Sequence, residues 1–230
     1  MTYRTILLMA AIFPCAWGQT RPHNFNCTND AASVCQIQTA TLPATSSLTV
    51  SVVNGSVSVE TWDTPEIQIR AEVRAPAATT DAGDIVIEET SPGEVSVLAK
   101  RGLALELKID LPAATALTIS TVNGELFIRG VEANVIAQAV NGDIFVAVGG
   151  EHWAGQSLVV DTVNGNIGVI VPADCSAQVA ASVREGTITT NFPAETVSGV
   201  QKVSFSLGSP SSSTIAVAPV SGNIWLRSED

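Results

Sequence analysis

The acids Glu125 and Asp143 each directly follow an Asn-Gly pair, in "STVNGELFI" (120–128) and "QAVNGDIFV" (138–146). If those two stretches stack on one another, the carboxylates meet at a corner. Paired carboxylates can hold calcium through hard oxygen ligands or divide acid and base roles in glycoside cleavage. The same place carries Ser56, Asn166 and Asn223 in "SVVNGSVSV" (51–59), "DTVNGNIGV" (161–169) and "PVSGNIWL" (219–226). That is not the dense acidic repeat of a calcium-binding β-roll, so two solvated acids is the preferred reading and no metal site is assigned. His152 lies beside Glu151 in the Gly-rich "GGEHWAGQ", yet no serine sits in a Gly-x-Ser-x-Gly elbow, and His23 is far away in sequence. A loop histidine explains it, and neither catalytic residues nor a cofactor are expected.

The aromatic residues carry the sharper signal. Phe127, Phe145 and Trp225 all occupy the third position after a turn glycine. Strand alternation puts that position on the face opposite Leu126/Ile128 and Ile144/Val146. With those aliphatics in the core, the rings point outward. Such a ladder suits sugar rings or an apolar partner; its competing role is packing that reinforces the sheet.

The elements that would position these side chains are written in the repeat itself. "LTVSVVNG" (48–55) matches "LTISTVNG" (117–124) at six of eight positions, and "LVVDTVNG" (158–165) follows closely. The shared pattern is Leu-x-Val-x-x-Val-Asn-Gly-x-Ile-x-Val, with the period-two alternation of half-buried strands on both arms. From Ile119 to Leu126 the step is odd, so a continuous strand would put the two apolar pairs on opposite faces. The chain must therefore turn at each of Asn54-Gly55, Asn123-Gly124, Asn141-Gly142 and Asn164-Gly165, with Ser221-Gly222 a looser version. Asn and Gly tolerate positive φ most readily, which such turns demand, and hydrogen bonds between asparagine side chains of neighbouring coils are a second role for that column. Arg184-Glu185-Gly186-Thr187-Ile188 reads as a degenerate copy. Glycine-to-glycine steps of 18, 23, 21 and 36 from Gly124 allow two strands and two turns per unit, the last leaving room for an extra coil or an excursion.

The fold class is all-β. A β-solenoid of short two-strand coils with Asn-Gly corners is favoured, since stacking rewards the same residue at the same height. An antiparallel sandwich or meander of Asn-Gly hairpins is the alternative. Further alternating segments at 66–73, 84–89, 94–100 and 104–111 are punctuated by Pro76, Gly83, Pro92-Gly93, Gly102 and Pro112.

Residues 1–18 read as a signal peptide. Arg4 supplies positive charge, Ile6 to Phe13 the apolar stretch, and Ala16-Trp17-Gly18 a cleavage site before Gln19. Cys15 raises a lipid anchor, but Phe13 and Pro14 are poor neighbours for one. Cleavage removes Arg4 and no acid, so the charge moves from −11 to −12. An acidic exported domain is a poor fit for nucleic acid or an anionic membrane, and no apolar run is long enough for stable membrane insertion. Export favours a local Cys27–Cys35 disulfide clamping an irregular segment over 19–40, with Cys175 left over and buried. Residues 41–228 then form one β-repeat domain.

The stretch "LTVSVVNGSVSVETWDTPEIQIRAEV" (48–73), followed by short Gly-turn repeats, resembles the bacterial putative-adhesin domain of unknown function. The resemblance covers roughly residues 40–228 and implies an exported or envelope-associated β-solenoid; it carries no catalytic or ligand residues. The expected role is non-enzymatic: a rigid surface, periplasmic or secreted to the cell surface, for adhesion or for binding a protein or glycan at the envelope. An envelope-stress or signalling accessory with one protein partner is the first alternative, and a carbohydrate-active enzyme on a β-helix the second.

Overall fold

The computed structural model describes residues 33–76, 85–99, 104–150, 153, 155–192, 198–209 and 212–229. The signal-peptide segment, Cys27 and His152 lie outside the described residues, and so does the Cys27 end of the expected disulfide. All regular structure described is strand. The first six are β1 (Ser33–Pro43), β2 (Ser47–Trp62), β3 (Glu66–Pro76), β4 (Ile85–Ser91), β5 (Glu94–Ala99) and β6 (Ala104–Pro112). The repeats follow as β7 (Ala116–Asn123), β8 (Leu126–Arg129), β9 (Val135–Asn141), β10 (Ile144–Ala147), β11 (Ser157–Asn164) and β12 (Ile167–Val171). The chain closes with β13 (Ala177–Ser182), β14 (Ile188–Thr190), β15 (Ser198–Val200), β16 (Lys202–Leu207), β17 (Thr214–Val217) and β18 (Ile224–Ser228). β1 begins inside the segment expected to be irregular, because it borrows its order from an antiparallel partner, β3, along its whole length.

The strands form a β-solenoid. Each repeat is one rung, bent at its glycine so that its first arm joins one sheet and its second arm another. The first-arm sheet runs β4, β5, β2, β7, β9, β11, β17, β13, β16, parallel throughout except at its two outer pairs. The second-arm sheet runs β1, β3, β6, β2, β8, β10, β12, β18, β14, β15, with the same parallel centre and antiparallel ends. Parallel pairing on both sides of each corner rules out the hairpin meander, whose arms would pair with each other.

Sequence order and stacking order differ at both ends. The β17/β18 rung lies between β11/β12 and β13/β14, although it comes last in the chain. At the other end β2 lies between β5/β6 and β7/β8. The long step before Gly222 is therefore an excursion: the chain builds the outermost rung, covers it with β15 and β16, and returns to fill the slot behind. Antiparallel strands cover the outermost rung at each end, which shields the parallel stack's edges.

Between the sheets lies an aliphatic core with one layer per rung, for example Leu117, Ile119, Leu126 and Ile128, then Leu158, Val160, Ile167 and Val169. Phe192 and Phe205, with ring centroids 5.5 Å apart, close it near β13. Trp153 is buried, as is the free thiol of Cys175, whose pKa burial pushes up to about 11.

The corners explain the repeat. A β-carbon on Gly124 would lie 1.9 Å from the carbonyl oxygen of Gly55; Gly142 meets Gly124, Gly165 meets Gly142, Gly222 meets Gly165 and Gly186 meets Gly222 in the same way, at 1.8–2.0 Å. No side chain fits there. Beside this column Asn123 donates its amide to Asn54 Oδ1 (2.7 Å), Asn141 to Asn123 (2.9 Å) and Asn164 to Asn141 (2.9 Å). The asparagines are not there for positive φ, since no described non-glycine residue has it. Their side chains tie rung to rung.

Gly142→Ala should therefore destabilise by about 3–5 kcal/mol, since a methyl group has nowhere to go. Asn123→Ala, which removes two exposed amide bonds, should cost about 1–2 kcal/mol. Thermal melting followed by far-UV circular dichroism tests both; equal losses would show that the amide ladder, not the glycine contact, sets the corner.

Candidate functional site

Pairing of the second arms places the aromatic residues in one column. Reading across the sheet, Ser58 pairs with Phe127, Phe127 with Phe145, Phe145 with Gly168, Gly168 with Trp225, and Trp225 with Thr189. Phe127, Phe145 and Trp225 are half-buried on the outer face, where alternation puts them. Gly168 interrupts the column, and Phe145 fills the dip: a β-carbon on Gly168 would lie 3.0 Å from Phe145 Cδ2. The ring thus covers bare backbone of the neighbouring rung, as aromatics do beside sheet glycines.

A second column runs alongside: Asp110, Glu60, Arg129, Ala147, Ile170 and Arg227. The Arg129 guanidinium lies 5.8 Å from the Phe145 ring centroid, within cation–π range. Further along, Lys108 lies 3.3 Å from both Glu60 and Asp110. Burial pulls the Lys108 pKa down, but Asp110 and Glu60 together outweigh it and leave it raised. This face therefore combines flat apolar rings with guanidinium and carboxylate groups, the mixture used to hold sugars or polar protein surfaces.

Of the two corner acids, Asp143 takes part in a hydrogen-bond ladder along the corner. Asp143 Oδ1 accepts from the Asn166 backbone N–H (2.7 Å) and side-chain amide (3.2 Å), and Asn166 Oδ1 accepts in turn from the Asn223 N–H (3.0 Å). Asn223 Oδ1 accepts from the Thr187 hydroxyl (2.9 Å). Asp143 is an acceptor in this ladder, and the described residues hold no group of three or more His, Cys, Asp or Glu able to bind a metal. No described helix is long and apolar enough to cross a membrane.

The first arms carry a surface that the repeat spelled out without its being read. A valine stands before five of the corners, and these residues, Val53, Val122, Val140, Val163 and Val220, are 40–50% exposed. These valines and the outward Ser51, Ser120, Gln138, Asp161 and Ala218 line a straight trough of about 530 Å³ across neighbouring rungs. Burial raises the Asp161 pKa, against a smaller opposing effect of its hydrogen bond from Gln138. The signal was the Val-Asn doublet itself. Both neighbours of the corner cannot point inward, so an apolar residue there must face out.

A carboxyl whose folded pKa is raised opposes folding once it ionises. Asp161→Asn should raise the melting temperature at neutral pH, and the gain should vanish as pH falls below the ordinary carboxylate range. Melting measured from neutral to acid pH checks this, and a gain that persists in acid would assign the effect to packing.

The profile of the Toastrack DUF4097 family, a domain of unknown function, matches residues 34–227. No curated protein matches in sequence. Among solved structures, a putative cell adhesion protein from Clostridium sporogenes ATCC 15579 is 14% identical with a TM-score of 0.63, over 86% of this chain and 100% of that one. A putative adhesin from Bacteroides fragilis NCTC 9343 is 10% identical over 83% of this chain and 97% of its own, but at a TM-score of 0.26 it carries no weight. The first likeness shows the fold, and the profile shows the family: this chain belongs to the Toastrack DUF4097 family.

Proposed function

We propose that the chain is an exported, non-enzymatic binding protein whose solenoid holds the Phe127–Phe145–Trp225 column rigidly against a glycan or protein at the cell envelope. The observation that carries this reading is the column itself: three half-buried aromatics on one outer face, bordered by Arg129 and Arg227. Aromatic faces bind sugar C–H groups and apolar side chains, while the flanking guanidinium groups offer planar donors to hydroxyls and carboxylates. Because the rungs are locked by backbone and amide ladders, the rings are held in place before any ligand arrives, which lowers the ordering entropy of binding. The name of one structural neighbour, a cell adhesion protein, points the same way for that protein. Removal of residues 1–18 and a Cys27–Cys35 disulfide that clamps the segment before β1 belong to the same reading.

Trp225→Ser and Phe127→Ser test the proposal, with Phe145→Ser kept separate because that ring also covers Gly168. Binding to envelope fractions and to a glycan array should fall at least tenfold for the first two, with melting shifted by only a few degrees. Sensitivity to glycan identity would mark a lectin-like surface, whereas capture of one protein irrespective of glycan would mark a signalling accessory. Undiminished binding in both variants would remove the aromatic column from function.

A further inference from the structure

The valine column is not something the fold needs. At the β13/β14 rung the same place is taken by Arg184, which is exposed and charged, and the rung still stacks in register. A single exposed valine is ordinary; five in line across adjacent rungs, Val53, Val122, Val140, Val163 and Val220, form a continuous apolar strip. Around it the outward positions of these first arms are uncharged apart from Asp161.

We propose that this trough is closed by the same trough of a second copy of the chain, the two solenoids lying antiparallel with valine column against valine column. Spacing is the first argument. Rungs repeat at about 4.8 Å, whereas the side chains on one face of an extended peptide repeat at about 6.6–6.8 Å and would drift out of step. Another solenoid has the matching period, and like residues stacked at that period interdigitate as a dry zipper. Symmetry is the second. Val140 is the middle rung, so a two-fold axis through it pairs Val122 with Val163 and Val53 with Val220, a closed isologous contact that cannot propagate into fibres.

Charge is the third argument, and it fixes the direction. The chain carries a net −11, so two copies repel over most of their surfaces and approach best where charge is absent. In the antiparallel arrangement Asp161 faces the partner's Ser120, two rungs from the partner's Asp161. A parallel arrangement would set the two carboxylates at the same height in a desolvated strip. The contact is small, which points to a weak dimer. It lies on the first-arm sheet and leaves the aromatic column of the other sheet uncovered, so it stands whether or not that column binds a ligand.

Sedimentation velocity on the exported chain, from low micromolar to millimolar concentration, should show a monomer–dimer equilibrium. Val140→Lys, which puts two like charges on the axis, should weaken it at least tenfold without changing far-UV circular dichroism or melting. Val122→Lys should weaken it as well, and the double variant Val122→Lys/Val163→Glu should restore it, because each new lysine meets the partner's glutamate. On oxidation Val140→Cys should cross-link to itself, and Val53→Cys should cross-link to Val220→Cys but not to itself; Cys175, buried with its pKa pushed up to about 11, stays silent. A chain that remains monomeric at millimolar concentration overturns the proposal. So does a dimer indifferent to Val140→Lys, self-cross-linking of Val53→Cys, or occupation of the trough by a fatty acid or unrelated peptide in a monomeric chain.

Discussion

At each corner of this solenoid the carbonyl oxygen of one glycine occupies the place where a β-carbon on the next rung's glycine would be, 1.9 Å away from Gly55 to Gly124 and again from Gly124 to Gly142. The contact lets backbone hydrogen bonding run through the bend without a gap. Gly124 N–H reaches Asn141 O at 3.0 Å, and Leu126 N–H reaches Asp143 O at 3.0 Å just beyond it. Because neither sheet loses its ladder at the corner, two sheets share one set of rungs and enclose an aliphatic layer per rung. A residue with a side chain at any of these places would push the rungs apart and break both sheets together.

Side-chain oxygens beside the corners then link successive rungs. Asp143 Oδ1 accepts from the Asn166 N–H, Asn166 Oδ1 from the Asn223 N–H, and Asn223 Oδ1 from the Thr187 N–H and hydroxyl. This ordering matches the stacking order and not the chain order: Thr187 belongs to the outermost rung though it precedes Asn223 in sequence. The last segment of the chain fits between two earlier rungs because its Ser221-Gly222 corner continues the glycine contacts on both sides, to Gly165 and from Gly186. Both the first repeat rung and the last are thereby held by neighbours on each side.

The architecture was legible in the sequence because its requirements are local and repeated: alternation on each arm, a glycine at each bend, an amide beside it. Stacking order was not, since "SVREGTI" and "PVSGNIW" carry equivalent signals and only long-range pairing distinguishes the end rung from the inserted one. The outward placement of Phe127, Phe145 and Trp225 followed from alternation alone. What alternation could not reveal was that Gly168 falls between two of those rings and that Phe145 spreads over it. Of the two roles the asparagines offered, turn geometry and side-chain hydrogen bonds between coils, the structure shows the second. Their turn propensity is a property of single residues, whereas their work here is between rungs that lie up to 69 residues apart.

The same economy of requirements bears on where specificity resides. A fold that needs a glycine column, an apolar inner face and matched rung lengths leaves its outer positions free, which is how a chain 14% identical can share it at a TM-score of 0.63. Inner residues such as Leu126 or Val160 therefore say little beyond the fold, and the corner glycines say nothing more. Information about partners is confined to outward side chains that depart from what a solvated sheet would carry. Two sets here do so: the aromatic column, set among charges on one sheet, and the valine column, set in a nearly uncharged strip on the other. Their separation onto opposite sheets means that one can be altered without disturbing the other, because rigid rungs transmit position and little else between the two faces.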